Sequence, residues 1–356
     1  MPRSSESPEN ICLFRLSALG DVCHCVAMVR AIQRRWPAAR ITWVIGKFEH
    51  QLVSSLPGID FIPFNKRSGL RGLLQFRRQL RARSFDVLLL AQVSARANLM
   101  SLKIKARRRI GFDKARSREG HGWVINEHID AVPFQHQAQA LLEFAKALDA
   151  DCKSLDRRLP VAESARAFAV QHQPREKYAV LISPASSHSQ RNWHADGYAR
   201  VADHIQEHCE RPVILVGGPS VQERQLGEAI EASMQTTPVN LIGKDTLSEL
   251  LAMLERAACL ITPDSGPAHL AASFGTPVVG LYAATWARRS GPLGSLEHCV
   301  DEYPTAARQF LNTEPEKLRW GRRIERQGVM DLIEIDQVIA KVSQLLEARP
   351  SIETTS

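Results

Sequence analysis

The run Asp264, Ser265, Gly266, Pro267, Ala268 and His269 carries the densest chemistry in this chain of 356 residues. It follows the short apolar stretch 259–262 and precedes a second turn at Gly275, Thr276 and Pro277. An aspartate or serine just before a helix caps its first turn, and proline suits the first helical positions. Glycine beside them lets a ligand approach the backbone closely. The first N–H groups of such a helix lack intrahelical acceptors and form the positive end of its dipole. In an open parallel sheet that helix start lies at the carboxyl edge, where phosphates bind. A plain cap explains Asp264 through Pro267, but it requires neither His269 nor the second turn. Phosphate cradle and plain cap both stand on the residues alone.

Three more loops hold polar groups in comparable places. Residues 184–193 follow an apolar strand and supply Ser186, Ser187 and Arg191, hydroxyls and a guanidinium suited to phosphate oxygens. Gly217, Gly218 and Pro219 follow another strand, with Glu223 close behind as a partner for ribose hydroxyls. Near the start of the chain, Arg15, Ser17 and Asp21 occupy a turn between the apolar stretch 11–14 and a helical one. Asp21 there can cap the helix or act as a general base toward a substrate hydroxyl. Cys23, His24 and Cys25 are the one cluster reminiscent of a metal set. They lack a second ligand pair and diverge around a helix, which argues against a metal. No G-x-G-x-x-G follows the first strand, and the chain has no Walker A sequence and no H-E-x-x-H. Phosphate chemistry would then rest on backbone N–H groups and arginine.

These loops need a frame. Strands are expected at 11–14, 41–46, 61–64 and 86–91, with helices at 22–36, 70–83 and 98–106, the first ended by Pro37. The pattern restarts with strands at 178–183, 213–217, 259–262 and 278–282 and helices at 197–208, 221–233, 247–257 and 269–274. Such alternation predicts an α/β protein with two Rossmann-like parallel-sheet domains facing across a cleft. The expected domains are 1–165 and 166–330, followed by a helix and polar tail at 331–356, with the charged stretch 151–177 as linker.

Composition bounds the remaining choices. With 44% apolar and 24% charged residues the chain has ample material for a core. Its first ten residues are polar, and no apolar run approaches the ~20 residues a membrane helix needs. A cytoplasmic location is expected. Seven cysteines scattered from Cys12 to Cys299 fit reduced thiols rather than a disulfide framework. The net charge of +8 is unevenly spread. Residues 61–120 hold sixteen Lys and Arg against Asp86, Asp113 and Glu119, a local net of +13 that leaves −5 for the remainder. One half therefore suits a polyanion: a nucleic acid, a phosphorylated glycolipid or an anionic membrane surface. No recognised nucleic-acid motif accompanies the charge, which argues against nucleic acid.

The order Arg15-x-Ser17-x-x-Gly20-Asp21, then Ser186 and Ser187 with Arg191-x-Trp193, then Gly217-Gly218-Pro219 and Asp264-Ser265-Gly266-Pro267-x-His269 is informative. It resembles the ADP-heptose:lipopolysaccharide heptosyltransferases of glycosyltransferase family 9 over about residues 10–295. The resemblance implies a GT-B fold, an acceptor domain followed by a nucleotide-sugar domain, inversion at the anomeric carbon, no cofactor and no catalytic metal. It implies Asp21 as the base for the acceptor hydroxyl. Donor contacts would be Ser186, Ser187, Arg191, Gly217, Glu223, Lys244 in the loop 243–247, and Asp264, Ser265, Gly266, Pro267, Ala268 and His269. Arg15 and Ser17, with Arg107 and Arg108 of the basic segment, are assigned to an anionic acceptor. The implied partners are ADP-heptose and a lipid A–core oligosaccharide, with room for peripheral contact at the cytoplasmic face of the inner membrane. Arg15 and Arg191 stand where the family commonly has lysine, and Ala283-Ala284-Thr285 replaces its usual Gly-Pro-Thr. Residues 299–329 do not map onto the best-known members. The neighbouring expectations are a GT-B transferase or epimerase using another nucleotide sugar, and a basic nucleic-acid-binding protein.

Overall fold

The computed structural model describes residues 7–153 and 156–348. The chain divides into two compact units, one ending at Pro160 and the other beginning at Val161.

The first unit contains β1 (Asn10–Phe14), α1 (Leu19–Arg35), β2 (Arg40–Gly46), β3 (Ile59–Phe64), α2 (Gly69–Leu80), β4 (Phe85–Leu90), α3 (Ala95–Ser101), β5 (Ala106–Gly111), β6 (Glu127–His128) and α4 (Gln137–Lys146). Its strands form one sheet in the order β3-β2-β1-β4-β5-β6, and every pairing is parallel. Parallel strands are covered on both faces, which is why β1 and β4 are nearly continuous apolar runs. The helices α1 and α4 pack on each other. Phe76 and Leu80 of α2 and Ala97 and Met100 of α3 share a core cluster with Phe14, Val44, Leu88 and Leu90. The strand order reverses between β1 and β4, so their carboxyl ends open a crevice suited to ligands.

The helix expected at 98–106 is a correction: α3 stops at Ser101, and Ala106 begins a strand with three consecutive arginines. Two of those arginines are partnered internally, Arg108 and Arg109. Arg109 donates to the carbonyls of Val124, Ile104 and Ser101 at 2.6, 2.8 and 3.0 Å. Arg108 grips both oxygens of Glu127 at 2.8 Å each. Partners of this kind allow a strand that shows no apolar alternation.

The second unit contains α5 (Glu163–His172), β7 (Val180–Ile182), α6 (Ala195–His208), β8 (Val213–Leu215), α7 (Val221–Ser233), β9 (Val239–Asn240), α8 (Leu247–Arg256), β10 (Cys259–Pro263), α9 (Gly266–Ser273), β11 (Val278–Tyr282), α10 (Ala287–Ser290), β12 (Val300–Asp301), α11 (Tyr303–Leu311) and α12 (Ile335–Glu347). The sheet order is β12-β11-β10-β7-β8-β9, again all parallel, with its reversal between β7 and β10. The stretch expected as a linker contains α5, which packs on α8 through Arg166 to Glu255 at 3.0 Å. Gln173 reinforces this by donating to the Met253 carbonyl at 2.9 Å. The expected separate C-terminal helix is α12, and it belongs to this unit: Val338, Val342, Leu345 and Leu346 complete the core around Tyr198 and Ile205. The polar start 1–6, part of the expected linker (154–155) and the tail 349–356 lie outside the described residues. Among the described residues no helix is long and apolar enough to cross a membrane.

Candidate active site

At the reversal point of the first sheet, the turn after β1 and the segment after β4 are tied together. Leu16 N–H donates to the Gln92 side chain at 2.7 Å, and Arg15 donates to the Ala91 carbonyl. Arg15 is buried, and its guanidinium also pairs with Asp21. Asp21 is the third residue of α1, whose cap position is Ala18, so its carboxylate is not spent on capping. Arg15 holds one carboxylate oxygen, and Gln137 Nε2 donates to the other at 3.2 Å. The guanidinium and the amide fix the orientation of the carboxylate at the start of the helix. It is 23% exposed and so reachable. Ser17 lies half-buried in the same turn. Cys23, His24 and Cys25 are buried along α1, and burial pushes the Cys25 thiol up to about 12, unlike a metal-ready thiolate.

The reversal point of the second sheet holds the other cluster. The Thr262 hydroxyl donates to the Ser183 carbonyl at 2.8 Å and meets the Ser265 hydroxyl at 2.8 Å, locking the end of β10 against that of β7. Ser265 occupies the cap position of α9, yet no side chain caps this helix. The plain-cap reading of Asp264 and Ser265 therefore fails, and the start of α9 keeps its dipole and donors for another partner. Gly266, Pro267 and Ala268 form that first turn, followed by His269. Arg191 is buried beside it, with Nη1 at 3.6 Å from Asp264. Its Nε and Nη2 both donate to Glu325, at 2.8 and 2.5 Å. Burial works to raise the Glu325 pKa, but the Arg191 hydrogen bonds and the charges of Arg191, Arg323 and His188 outweigh it and hold the group low.

The neighbouring loops are organised by their own residues. Ser186 N–H donates to Asn192 at 2.7 Å and its hydroxyl to the His188 carbonyl at 3.0 Å, while Ser187 is exposed. Glu223, in the first turn of α7, accepts from Gly218 N–H at 2.5 Å and from the Ser220 hydroxyl at 2.9 Å. A Cβ at residue 218 would meet Glu223 Oε1 at 2.8 Å, so the carboxylate packs directly against the glycine backbone and a side chain there would displace it. Gly243 N–H donates to the Gly217 carbonyl at 2.9 Å, placing the 243–245 turn alongside. Lys244 is exposed and donates to the Asn240 carbonyl at 2.7 Å. Asp245 next to it is pushed up to about 7 by burial, with Glu249 and Glu223 adding to the rise.

Not every expected residue comes to these clusters. Arg108 is in register with Val87, level with Ile11 near the start of β1, whereas Asp21 follows β1's end at Phe14. At about 3.3 Å per residue that separates them by about 10 Å or more along the strands, at opposite edges of the sheet. Arg107 lies one residue further from the carboxyl edge, and Arg108 is bound to Glu127. Neither joins Asp21. Arg15 serves Asp21 directly instead of reaching into solvent. Gln92, Gln137 and Glu325 had no local motif to mark them, and Asp245 lay in the loop 243–247 without a role of its own. Glu325 lies in the stretch 299–329 that had no counterpart in the family pattern, and Ile324 N–H donating to Ala284 at 2.8 Å fixes that stretch over the end of β11.

Comparison with known proteins places this geometry in context. Residues 73–318 match glycosyltransferase family 9 (heptosyltransferase). The chain is 36% identical to the lipopolysaccharide core heptosyltransferase OpsX of Haemophilus influenzae over 345 residues, covering 97% of this chain and 99% of that one. A family 9 glycosyl transferase from Veillonella parvula superimposes with a TM-score of 0.78 at 23% identity, covering 96% and 98% of the two chains. Escherichia coli heptosyltransferase WaaC with ADP gives 0.66 at 18% identity, covering 85% and 99%. The fold is GT-B, with one six-stranded parallel sheet in each unit.

Proposed function

Because the chain belongs to glycosyltransferase family 9, the heptosyltransferases, we propose that it moves a heptose from ADP-heptose to an anionic inner-core lipopolysaccharide acceptor, with inversion. The relative named as a lipopolysaccharide core enzyme supports the acceptor class, and the structure of WaaC with ADP supports the donor. The single observation that carries the catalytic part is Asp21, a reachable carboxylate braced by Arg15 and Gln137 instead of capping its helix. The acceptor hydroxyl oxygen attacks the anomeric carbon as Asp21 takes its proton. The bond from that carbon to the diphosphate breaks, and ADP departs with the electron pair.

The uncapped start of α9 meets the departing diphosphate with backbone N–H groups, and Arg191 Nη1 adds a charged donor. Those groups make the reaction independent of a metal. Ser186, Ser187, Gly217, Glu223 and Lys244 surround the nucleotide on the loops that follow β7, β8 and β9. Anionic groups of the acceptor are met by the exposed cations at the carboxyl edge of the first sheet, Lys47, Arg67, Lys114 and Arg118, in place of Arg107 and Arg108. The reaction belongs at the cytoplasmic face of the inner membrane, where a lipid-linked acceptor is presented.

A donor screen by thermal shift, followed by transfer to lipopolysaccharide from heptose-deficient cells, tests this. ADP-heptose should raise the melting temperature more than UDP- or GDP-sugars, and EDTA should change neither binding nor transfer. Stabilisation by a different nucleotide sugar, with no transfer from ADP-heptose, would overturn the donor assignment.

A further inference from the structure

The basic segment divides into two populations. Lys66, Arg83, Arg108, Arg109 and Arg116 have internal partners at Glu49, Asp60, Glu127, backbone carbonyls and Asp113. Of the others, seven gather on the outer surface of α2 and α3. On α2, Arg71, Arg77, Arg78 and Arg81 stand at i−3, i+3, i+4 and i+7 from Leu74, so all five share one stripe. On α3 and its end, Arg96, Leu99, Leu102 and Lys103 share another by the same spacing, with Lys105 just beyond. The three leucines are 58%, 66% and 57% exposed, and all seven cations are exposed. Among the described residues none of these seven forms an ion pair. Asp86 is the one acidic residue between 66 and 112, and the N–H groups of Glu9 and Asn10 hold its carboxylate at 2.9 Å each.

Both helices bury their opposite faces in the same core cluster, so the two stripes face outward on one side of the first sheet. Large exposed leucines amid uncompensated cations cost a protein solubility unless something covers them. Charge alone would suit any polyanion, but a nucleic acid gains nothing from leucine. A single strand would stack its bases on exposed aromatic rings, and Phe76, the aromatic residue of α2, is buried. A bilayer offers both halves of the match: anionic headgroups for the guanidinium and ammonium groups, and an acyl boundary for the leucines. We propose that the outer face of α2 and α3 docks the first unit onto an anionic bilayer. This goes beyond the transferase reading. It assigns to membrane contact seven cations of the basic segment, leaving those at the carboxyl edge of the sheet to the acceptor, and it holds the enzyme where a lipid-anchored acceptor lies.

The test is co-sedimentation of the full chain with vesicles of phosphatidylglycerol and phosphatidylcholine, against vesicles of phosphatidylcholine alone. The chain should bind the anionic vesicles, and binding should weaken with salt. Combined Arg77→Glu, Arg78→Glu and Arg81→Glu should lower partitioning by at least ~10²-fold, since each cation near such a surface contributes a factor of about five. Combined Leu74→Ser, Leu99→Ser and Leu102→Ser should lower it about tenfold or more while leaving heparin binding unchanged. All six positions are exposed, and unchanged ADP-induced thermal stabilisation checks that both variants are folded. Transfer to a vesicle-embedded acceptor should fall in both, with transfer to a deacylated acceptor preserved. Equal vesicle binding by either variant, or tighter binding to duplex DNA than to anionic vesicles, would overturn the proposal. Vesicle binding is read without any sugar transfer, so the result stands apart from the donor and acceptor assignment.

Discussion

Replacing Asp21 with asparagine keeps the shape of the side chain while removing both the base and the partner of a buried cation. Arg15 is 8% exposed at its side chain and would keep the Ala91 carbonyl and an amide oxygen as neutral acceptors. Full rupture of a buried ion pair costs about 3–5 kcal/mol. The 23% exposure of Asp21 and the surviving amide acceptor place this case lower, at about 1–3 kcal/mol of stability. Loss of a general base costs ~10²–10⁴ in turnover, or about 2.7–5.4 kcal/mol of barrier. The two effects are separable. Urea denaturation gives the stability loss, initial rates at saturating ADP-heptose give kcat, and calorimetry gives ADP affinity. Since the proposed ADP contacts all belong to the second unit, ADP affinity should stay within about twofold. A folded Asp21→Asn protein with kcat within about fivefold of wild type would refute the reasoning, leaving Asp21 as a structural partner of Arg15.

Three further outcomes are expected. Gly266→Val should weaken ADP and ADP-sugar binding at least tenfold, about 1.4 kcal/mol, by keeping phosphate from the start of α9; unchanged affinity by calorimetry would place the donor elsewhere. Glu325→Gln leaves the buried Arg191 with Asp264 alone and should lower unfolding stability by about 1–3 kcal/mol at pH 7. Because the folded Glu325 pKa is depressed, that difference should shrink as pH falls below about 4, and a constant difference across pH would contradict the pairing. Asp245 has the opposite sign: its folded pKa near 7 means its contribution is fully present below about pH 4 and is lost as pH rises through 7. Asp245→Asn should flatten that decline and gain about 1–2 kcal/mol at pH 8, under the ceiling of about 4 kcal/mol that three pH units allow; a pH–stability curve identical to wild type would rule it out.

The elements legible from sequence are those whose signals are local. The strand β11 and the helix α7 fall where apolar runs, a Gly-Thr-Pro turn and a Ser cap mark them. The strand β5 is invisible to such reasoning because Arg108 pairs with Glu127, 19 residues away, and Arg109 is held by carbonyls of neighbouring loops. The helix α5 was obscured by the charged stretch around it, although Ala165 and Ala169 are buried. The sites divide in the same way. Asp21, Asp264 and His269 sit in compact motifs: Asp264 lies on the turn after β10, and Asp21 and His269 lie near the starts of the helices that follow β1 and β10, at the two sheet reversals. What those motifs could not carry is the electrostatic setting. Gln137 reaches Asp21 across 116 positions, and Glu325 reaches Arg191 across 134.

These remote partners change the chemistry attributed to the motif residues. Arg191 alone would count as a cation offered to a diphosphate. With Glu325 and Asp264 around it, the trio carries a net charge of −1 when both acids are ionised. A diphosphate brought there gains little from Arg191 by charge, and what remains is one guanidinium N–H group with fixed geometry. The uncapped N–H groups of α9 must then carry the larger share of diphosphate binding. Gly266→Val should therefore weaken ADP binding more than Arg191→Met does, an order that the motif residues alone would not reveal.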